Sequence, residues 1–336
     1  MGKQAFSRIG LLNSKGGKMK NFIGCATILL IVIITLITPQ TAVAQSTIVV
    51  DKDGQADAAD CNATMITFAS IQAAVDAASP SDTIFICPGI YDEQVTVTTN
   101  NLTITGSGVE QTVIRPSIVY VNSSGSIPPF PPHSAIFAVK DTSDVVVEEL
   151  TVDGSLADGG SAMETDCHSA NIFVGINYRN SSGEISNVHV TQIQSATYCA
   201  LGVKITSSFT SPSNVVKVSN SLVDYYTTGG ILCGGPTIFC NLMENSILGL
   251  GPIENQMQFG VGIQNGAGGE LTGNIISDHY FSHEGNNGIN YSSVGIYLAY
   301  ADPYLIPHIL QENTFYGNEY NFQIYGAKAV VINTMQ

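Results

Sequence analysis

A short unit, glycine followed by alternating apolar residues, returns five times along the second half of this chain. It reads GINY from Gly175, GVKI from Gly202, GILC from Gly230, GIQN from Gly262 and GIYL from Gly295, at steps of 27, 28, 32 and 33 residues. A second unit lies between these, an asparagine among apolar residues: ISNVHV (Asn187), VSNSLV (Asn220), MENSIL (Asn245), LTGNII (Asn274) and LQENTF (Asn313). Asparagine suits a turn because it tolerates left-handed backbone and can bond its own main chain. Each repeat is therefore strand, turn, strand, Asn-centred turn, strand. Strands this short, repeating every 25–35 residues with no helix between, predict an all-β solenoid, a parallel β-helix. A sandwich or propeller is the other all-β reading. A propeller blade needs four antiparallel strands and commonly an aromatic signature, and the chain has no Trp.

The earlier chain fits the same scheme. TIFICPG, QVTVTTN, NLTITGSG, TVIRP, AIFAVKD and DVVVEELTVDG are short runs of β-formers between turn residues. One stretch has helical period: Ile71, Ala74, Val75 and Ala78 form a single apolar stripe that Pro80 closes. The expected organisation is a cap segment over 45–82, whose helix covers the open first rung, and a β-helix over 83–336. At roughly 25 residues per turn, that domain holds about ten coils. The glycine units place Ile176, Val203, Ile231, Ile263 and Ile296 in one interior row.

Residues 1–20 carry basic charge only, Phe22 to Thr38 is almost wholly apolar, and Ala42-Val43-Ala44 offers a cleavage site. Residues 1–44 thus read as an export signal, with an uncleaved membrane anchor as the alternative, and the mature chain is expected to be secreted or at the cell surface or periplasm. Removing the signal leaves seven basic against 27 acidic residues, a net charge of −20. So acidic a surface repels nucleic acid and anionic lipid. Export also makes Cys61, Cys87, Cys167, Cys199, Cys233 and Cys240 an even set in an oxidising compartment. No CxxC occurs and no His stands at metal-ligand spacing from a Cys, so disulfides are favoured over zinc. Residues one coil apart lie within disulfide reach, which pairs Cys167 with Cys199. Cys233 with Cys240 closes a short loop, and Cys61 with Cys87 ties the cap to the first rungs.

The stretch FASIQAAVDAASPSDTIFICPGIYDEQVTV…NNLTITGSGVEQTVI (68–114) resembles the opening of the pectin-lyase-like right-handed β-helix superfamily. It is nearest the cap and first coils of pectinesterases and of bacterial β-helix repeat proteins, and the Asn-turn rungs resemble the superfamily's generic repeats. The resemblance implies a right-handed coil. It implies no single activity, because the superfamily holds lyases, hydrolases, esterases, epimerases and non-enzymes. The nearest strings to pectinesterase motifs, GIQNGAG (262–268) and LTVDGS (150–155), keep neither catalytic aspartate. Polygalacturonase signatures are not found. Pectate lyases use an Arg base, and the mature chain offers only Arg115 and Arg179.

Candidate site residues come from two places. If the glycine units stack as one sheet, Asn177, Lys204, Leu232, Gln264 and Tyr297 point outward in a ladder, joined by Gln323 from the related FQIY. Amides and an aromatic ring in a row suit sugar binding, although an ordinary solvated β face gives the same pattern. The run Ser277-Asp278-His279-Tyr280-Phe281-Ser282-His283-Glu284 reads as a loop. Its two carboxylates and two imidazoles, Asp278, His279, His283 and Glu284, could supply acid and base. Asp158, Glu164, Asp166 and His168 form a second such cluster. Acidic loop oxygens suit Ca²⁺, but no EF-hand or glycine-aspartate nonapeptide supports a calcium site. The expected business is extracellular or cell-envelope polysaccharide, by chemistry or by binding; a non-catalytic adhesin or structural spacer of the same fold is the alternative. The chain finishes FQIYGAKAVVINTMQ, still reading as a rung, which is expected to associate end to end or to continue in a longer protein, with a loop folded back over the end as the less favoured alternative.

Overall fold

The structure is a computed structural model that describes residues 45–52, 61, 67–122, 133–157, 172–195, 199–208, 213–253, 256–282, 292–299, 308–326 and 329–332. Residues 1–44, read above as an export signal, Cys167, the cluster Asp158, Glu164, Asp166 and His168, and the pair His283 and Glu284 lie outside these residues. Among the described residues all strand pairing is parallel, and from Thr83–Ile86 onward it joins strands of successive coils, for example Ile176 to Val203 and Val203 to Ile231. That is the topology of a parallel β-helix.

Two hydrogen-bonded sheets carry the coils. One contains eight strands, stacked from Val95–Val97 through His133–Lys140, Ile172–Arg179, Ala200–Thr206, Gly229–Gly234, Phe259–Gln264 and Val294–Ala299 to Tyr320–Tyr325. The other contains 17 strands and forms two walls, because strands such as Val145–Asp153 and Gly183–Thr191 run around the corner between them. In the first of those walls ten strands are stacked in chain order, from Thr47–Val50 to Ala329–Ile332, and the short strand Thr67–Phe68 pairs with the outer edge of Thr47–Val50. The strand Thr47–Val50 thus stands ahead of Thr83–Ile86, where the sequence suggested only a cap. The helix Ile71–Ala77 is capped by the Ser70 hydroxyl accepting from Ala73 N–H, and buries Ile71, Ala74 and Val75 in the core.

The corner between the two walls explains the second repeat unit and corrects its reading. The left-handed residue is Glu149, Asn187, Asn220, Glu244, Gly273 or Glu312, at φ between 50° and 67°. Asn187 and Asn220 are therefore turn residues, as expected. Asn245, Asn274 and Asn313 stand one position later and point inward, fully buried. Asn245 Nδ2 donates to Asn274 Oδ1, and Asn274 Nδ2 to Asn313 Oδ1, each at 2.9 Å. The same amides donate to the Val218, Leu242 and Leu271 carbonyls, and their oxygens accept the backbone N–H of the preceding coil. Ser221 ends the column, its hydroxyl accepting Val188 N–H. These polar groups are satisfied inside an apolar core, where each unmet one would cost about 1–3 kcal/mol.

The glycines have a steric rather than a conformational reason. Gly175, Gly202, Gly230, Gly260 and Gly295 succeed one another coil by coil and face the opposite wall. A Cβ on the first four would lie 2.4–2.6 Å from a methyl of Val190, Val223, Ile247 or Ile276. The fourth member is Gly260, not Gly262, so the register of that unit is shifted by two residues from the expectation. Val261 stacks between Ile231 and Ile296, whereas Ile263 joins the next row with Cys233 and Leu298. All five expected core residues, Ile176, Val203, Ile231, Ile263 and Ile296, are buried nonetheless.

Disulfides join Cys61 to Cys87 and Cys233 to Cys240, and Cys199 is also disulfide-bonded. Among the described residues no helix is long and apolar enough to cross a membrane.

Candidate functional face of the eight-stranded sheet

On each strand of the eight-stranded sheet, residues flanking a core side chain point away from the coil. The corrected register gives one outer row of Ala138, Asn177, Lys204, Leu232, Gly262, Tyr297 and Gln323. A parallel row two residues on holds Lys140, Arg179, Thr206, Gly234, Gln264, Ala299 and Tyr325. The structure thus brings Asn177, Lys204, Tyr297 and Gln323 together as expected. Gln264 is corrected to the neighbouring row, and Gly262 takes its place. Rows advance by about 4.8 Å per rung, so Lys204 and Tyr297 are roughly 14 Å apart along the axis.

The two ends of this face differ in character. Toward the C-terminal coils it is open and aromatic. The Tyr297 and Tyr325 rings meet edge to face with centroids 6.1 Å apart, and Gln323 Nε2 donates to the Tyr325 hydroxyl at 2.7 Å. Tyr325 is 50% exposed. Between the ends, Gly262 leaves a low place: a Cβ there would press on Leu232 and Phe259 at 3.0 Å.

Toward the N-terminal coils the face is buried, contrary to a solvated ladder. Ala135, Ala138, Ile172, Val174, Cys199, Leu201 and Leu232 form an apolar cluster on the outside of the coil. Asn177 and Lys204 lie within this region, and Lys204 is 4% exposed. Its Nζ is hydrogen-bonded to His133 Nε2. Burial pulls the Lys204 ammonium down to about 7. His133 is held neutral down to about 2, first by burial and then by the charges of Lys204 and Arg179. Arg179 itself faces Asp141 at 3.9 Å, and Lys140 Nζ donates to the Asn122 carbonyl at 2.8 Å. His133 was missed in the sequence because it is 71 positions from its partner and opens a strand whose middle, Ala135–Val139, is apolar.

Asp278 and His279 are not in a loop. They belong to the strand Ile275–Phe281, paired with Ser246–Ile253 through a register shift between Leu248 and Gly251. Asp278 takes the left-handed conformation, φ 63°, at this irregularity, and His279 turns into the core. Asn318 Oδ1 accepts both the backbone N–H and the Nδ1–H of His279, and Asn318 Nδ2 donates to the Ile276 carbonyl. Nε2 is therefore the acceptor, and the Tyr226 hydroxyl donates to it. Burial lowers the imidazole to about 4, against weaker raising effects of Asn318 and Asp278. His279 is 0% exposed, and its ring links three coils. Among the described residues, no three His, Cys, Asp or Glu side chains gather as a metal ion would need.

No family model matches the chain, and no curated protein is similar to it in sequence. Solved structures do match. A pectin methylesterase in complex with a hexasaccharide is 15% identical, covering 85% of this chain and 77% of its own, with a TM-score of 0.37. The pectin methylesterase PemA from Erwinia chrysanthemi is 14% identical over 79% of this chain and 92% of its own, TM-score 0.41. A GH136 lacto-N-biosidase from Eubacterium ramulus is 9% identical over 85% and 68%, TM-score 0.33. The parallel β-helix topology is carried by this chain's own strand pairing.

Proposed function

We propose that this chain binds an extended polysaccharide outside the cell, along the outer face of its eight-stranded sheet. The observation that carries this reading is the exposed Tyr325 ring set against Tyr297, with the Gln323 amide fixed to the Tyr325 hydroxyl. An aromatic face covers the apolar side of a sugar ring, and the neighbouring amide meets its hydroxyls. The straight row of positions at constant spacing suits a linear polymer better than a compact ligand. The disulfides support an oxidising, extracytoplasmic setting, in keeping with the reading of residues 1–44 as an export signal. Retention of the secreted chain on immobilised plant, algal and microbial polysaccharides is the test. Tyr325→Ala should weaken retention about tenfold, roughly 1.4 kcal/mol. Tyr316→Ala removes an equally exposed ring from the other sheet and should change nothing. Equal retention of the Tyr325 variant, or no retention on any polymer, would overturn the reading.

A further inference from the structure

We infer that Asn265 is a modification site, at which the folded chain loses a side-chain amide to its own backbone and gains a carboxylate. The inference is independent of the polysaccharide reading. Asn265 and Gly266 form the tip of a tight turn between Phe259–Gln264 and Gly268–Thr272, both left-handed, at φ 56° and 88°. Ala267 N–H donates to the Gln264 carbonyl at 3.2 Å and closes the turn. Asparagine followed by glycine is the pair that such a turn favours. Gly266 is fixed twice over, because a Cβ there would be strained at that φ and would stand 3.0 Å from Pro236 Cα. The other Asn-Gly pair, Asn287-Gly288, lies outside the described residues.

What singles out Asn265 is the nitrogen that follows it. Asn101, Asn187 and Asn220 are also exposed and left-handed. After Asn187, Val188 N–H donates to Ser221 Oγ at 3.2 Å; after Asn220, Ser221 N–H donates to Asn245 Oδ1 at 3.1 Å. Both bonds are buried, so the ladder that fastens the coils also holds these two nitrogens. After Asn101 comes Leu102, whose fully buried side chain pins that backbone. Gly266 N–H meets no acceptor among the described residues, and glycine offers no side chain to hinder approach. Once solvent hydroxide takes its proton, that nitrogen bonds to Asn265 Cγ. The amide nitrogen takes up a proton and leaves as ammonia, and a five-membered succinimide remains. Water then opens the ring at either carbonyl, giving aspartate or an isoaspartyl link. One asparagine and one water give one acid and one ammonia. The product sets a new negative charge next to Gln264, in an outer row of the eight-stranded sheet.

Incubating the intact, secreted chain in mildly alkaline heavy-oxygen water provides the test, since each event leaves a labelled oxygen at the residue concerned. Peptide mapping of samples drawn over several weeks would compare Asn265 with Asn101, Asn187 and Asn220. The expected result is labelling of Asn265 roughly tenfold faster than any of the three, a ratio that about 1.4 kcal/mol of barrier supplies. Labelling no faster than theirs would overturn the inference, and the comparison needs no variant that could misfold. A second incubation in denaturant separates the folded structure from the local sequence. Unfolding frees the Val188 and Ser221 nitrogens, so Asn187 and Asn220 should gain more speed than Asn265. A larger gain at Asn265 would mean that the native turn protects it, which overturns the inference as well.

Discussion

Acidification should unfold this protein partly through His279. In the folded chain burial keeps the imidazole neutral to about pH 4, while its ordinary value is 6.5. Between these limits the unfolded chain takes up a proton that the folded chain refuses. Stability therefore falls as pH drops through this window, and above it the group contributes no pH dependence. The two values give a loss of about 2 kcal/mol at pH 5 and about 3 kcal/mol by pH 4. His133 titrates in the same direction, since burial, Lys204 and Arg179 hold it neutral to about 2. His279→Gln should begin less stable at pH 7, by roughly 1–3 kcal/mol, because the Tyr226 hydroxyl and Asn318 lose a fitted partner. Its decline with acid should nevertheless be shallower, with about one proton fewer taken up on unfolding at pH 5. Denaturant titrations at half-unit intervals from pH 7.5 to 4.5 give both slopes. Parallel curves for the two proteins would refute the reasoning.

Gly230→Ala should cost about 1–3 kcal/mol, because its Cβ would stand 2.5 Å from Ile247 Cγ2. Gly234→Ala, whose nearest neighbour would be 3.7 Å away, should leave the melting temperature almost unchanged; equal losses would contradict the steric account. Asn274→Leu strands the Leu242 carbonyl and Asn245 N–H and should cost roughly 3–5 kcal/mol by denaturant titration. Cys61→Ser releases a bridge between residues 26 apart and should lower stability by about 3–4 kcal/mol under non-reducing conditions.

What was legible in the sequence follows from the range of the physics involved. Periodic glycine and asparagine reported a coil because both residues act within one rung or between neighbours. The slip from Gly260 to Gly262 arose because GVGIQ alternates in either frame; only the Ile276 methyl, on another wall, tells which glycine must be bare. Turn asparagines and ladder asparagines differ by one position, so Asn220 and Asn245 look alike until the backbone is seen. His279 was read as a loop residue because polar runs usually are solvated. Its partners Tyr226 and Asn318 lie 53 and 39 positions away. The same distance effect hid Lys204. Its outward direction was legible, but the apolar cluster that buries it draws on strands scattered over nearly a hundred residues.

The asparagine column gives the rod a mechanical polarity. From Ser221 to Asn313 every coil is fastened to the next by side-chain bonds that repeat in one orientation, so separating two coils in the middle breaks several at once. Ahead of Ser221 the corresponding interior positions hold Leu150 and Val188, which contribute apolar packing but no such fasteners. A load applied along the axis should therefore be carried unequally. The coils before Ser221 would part first, and the segment from Ser221 to Asn313 would come away as one block.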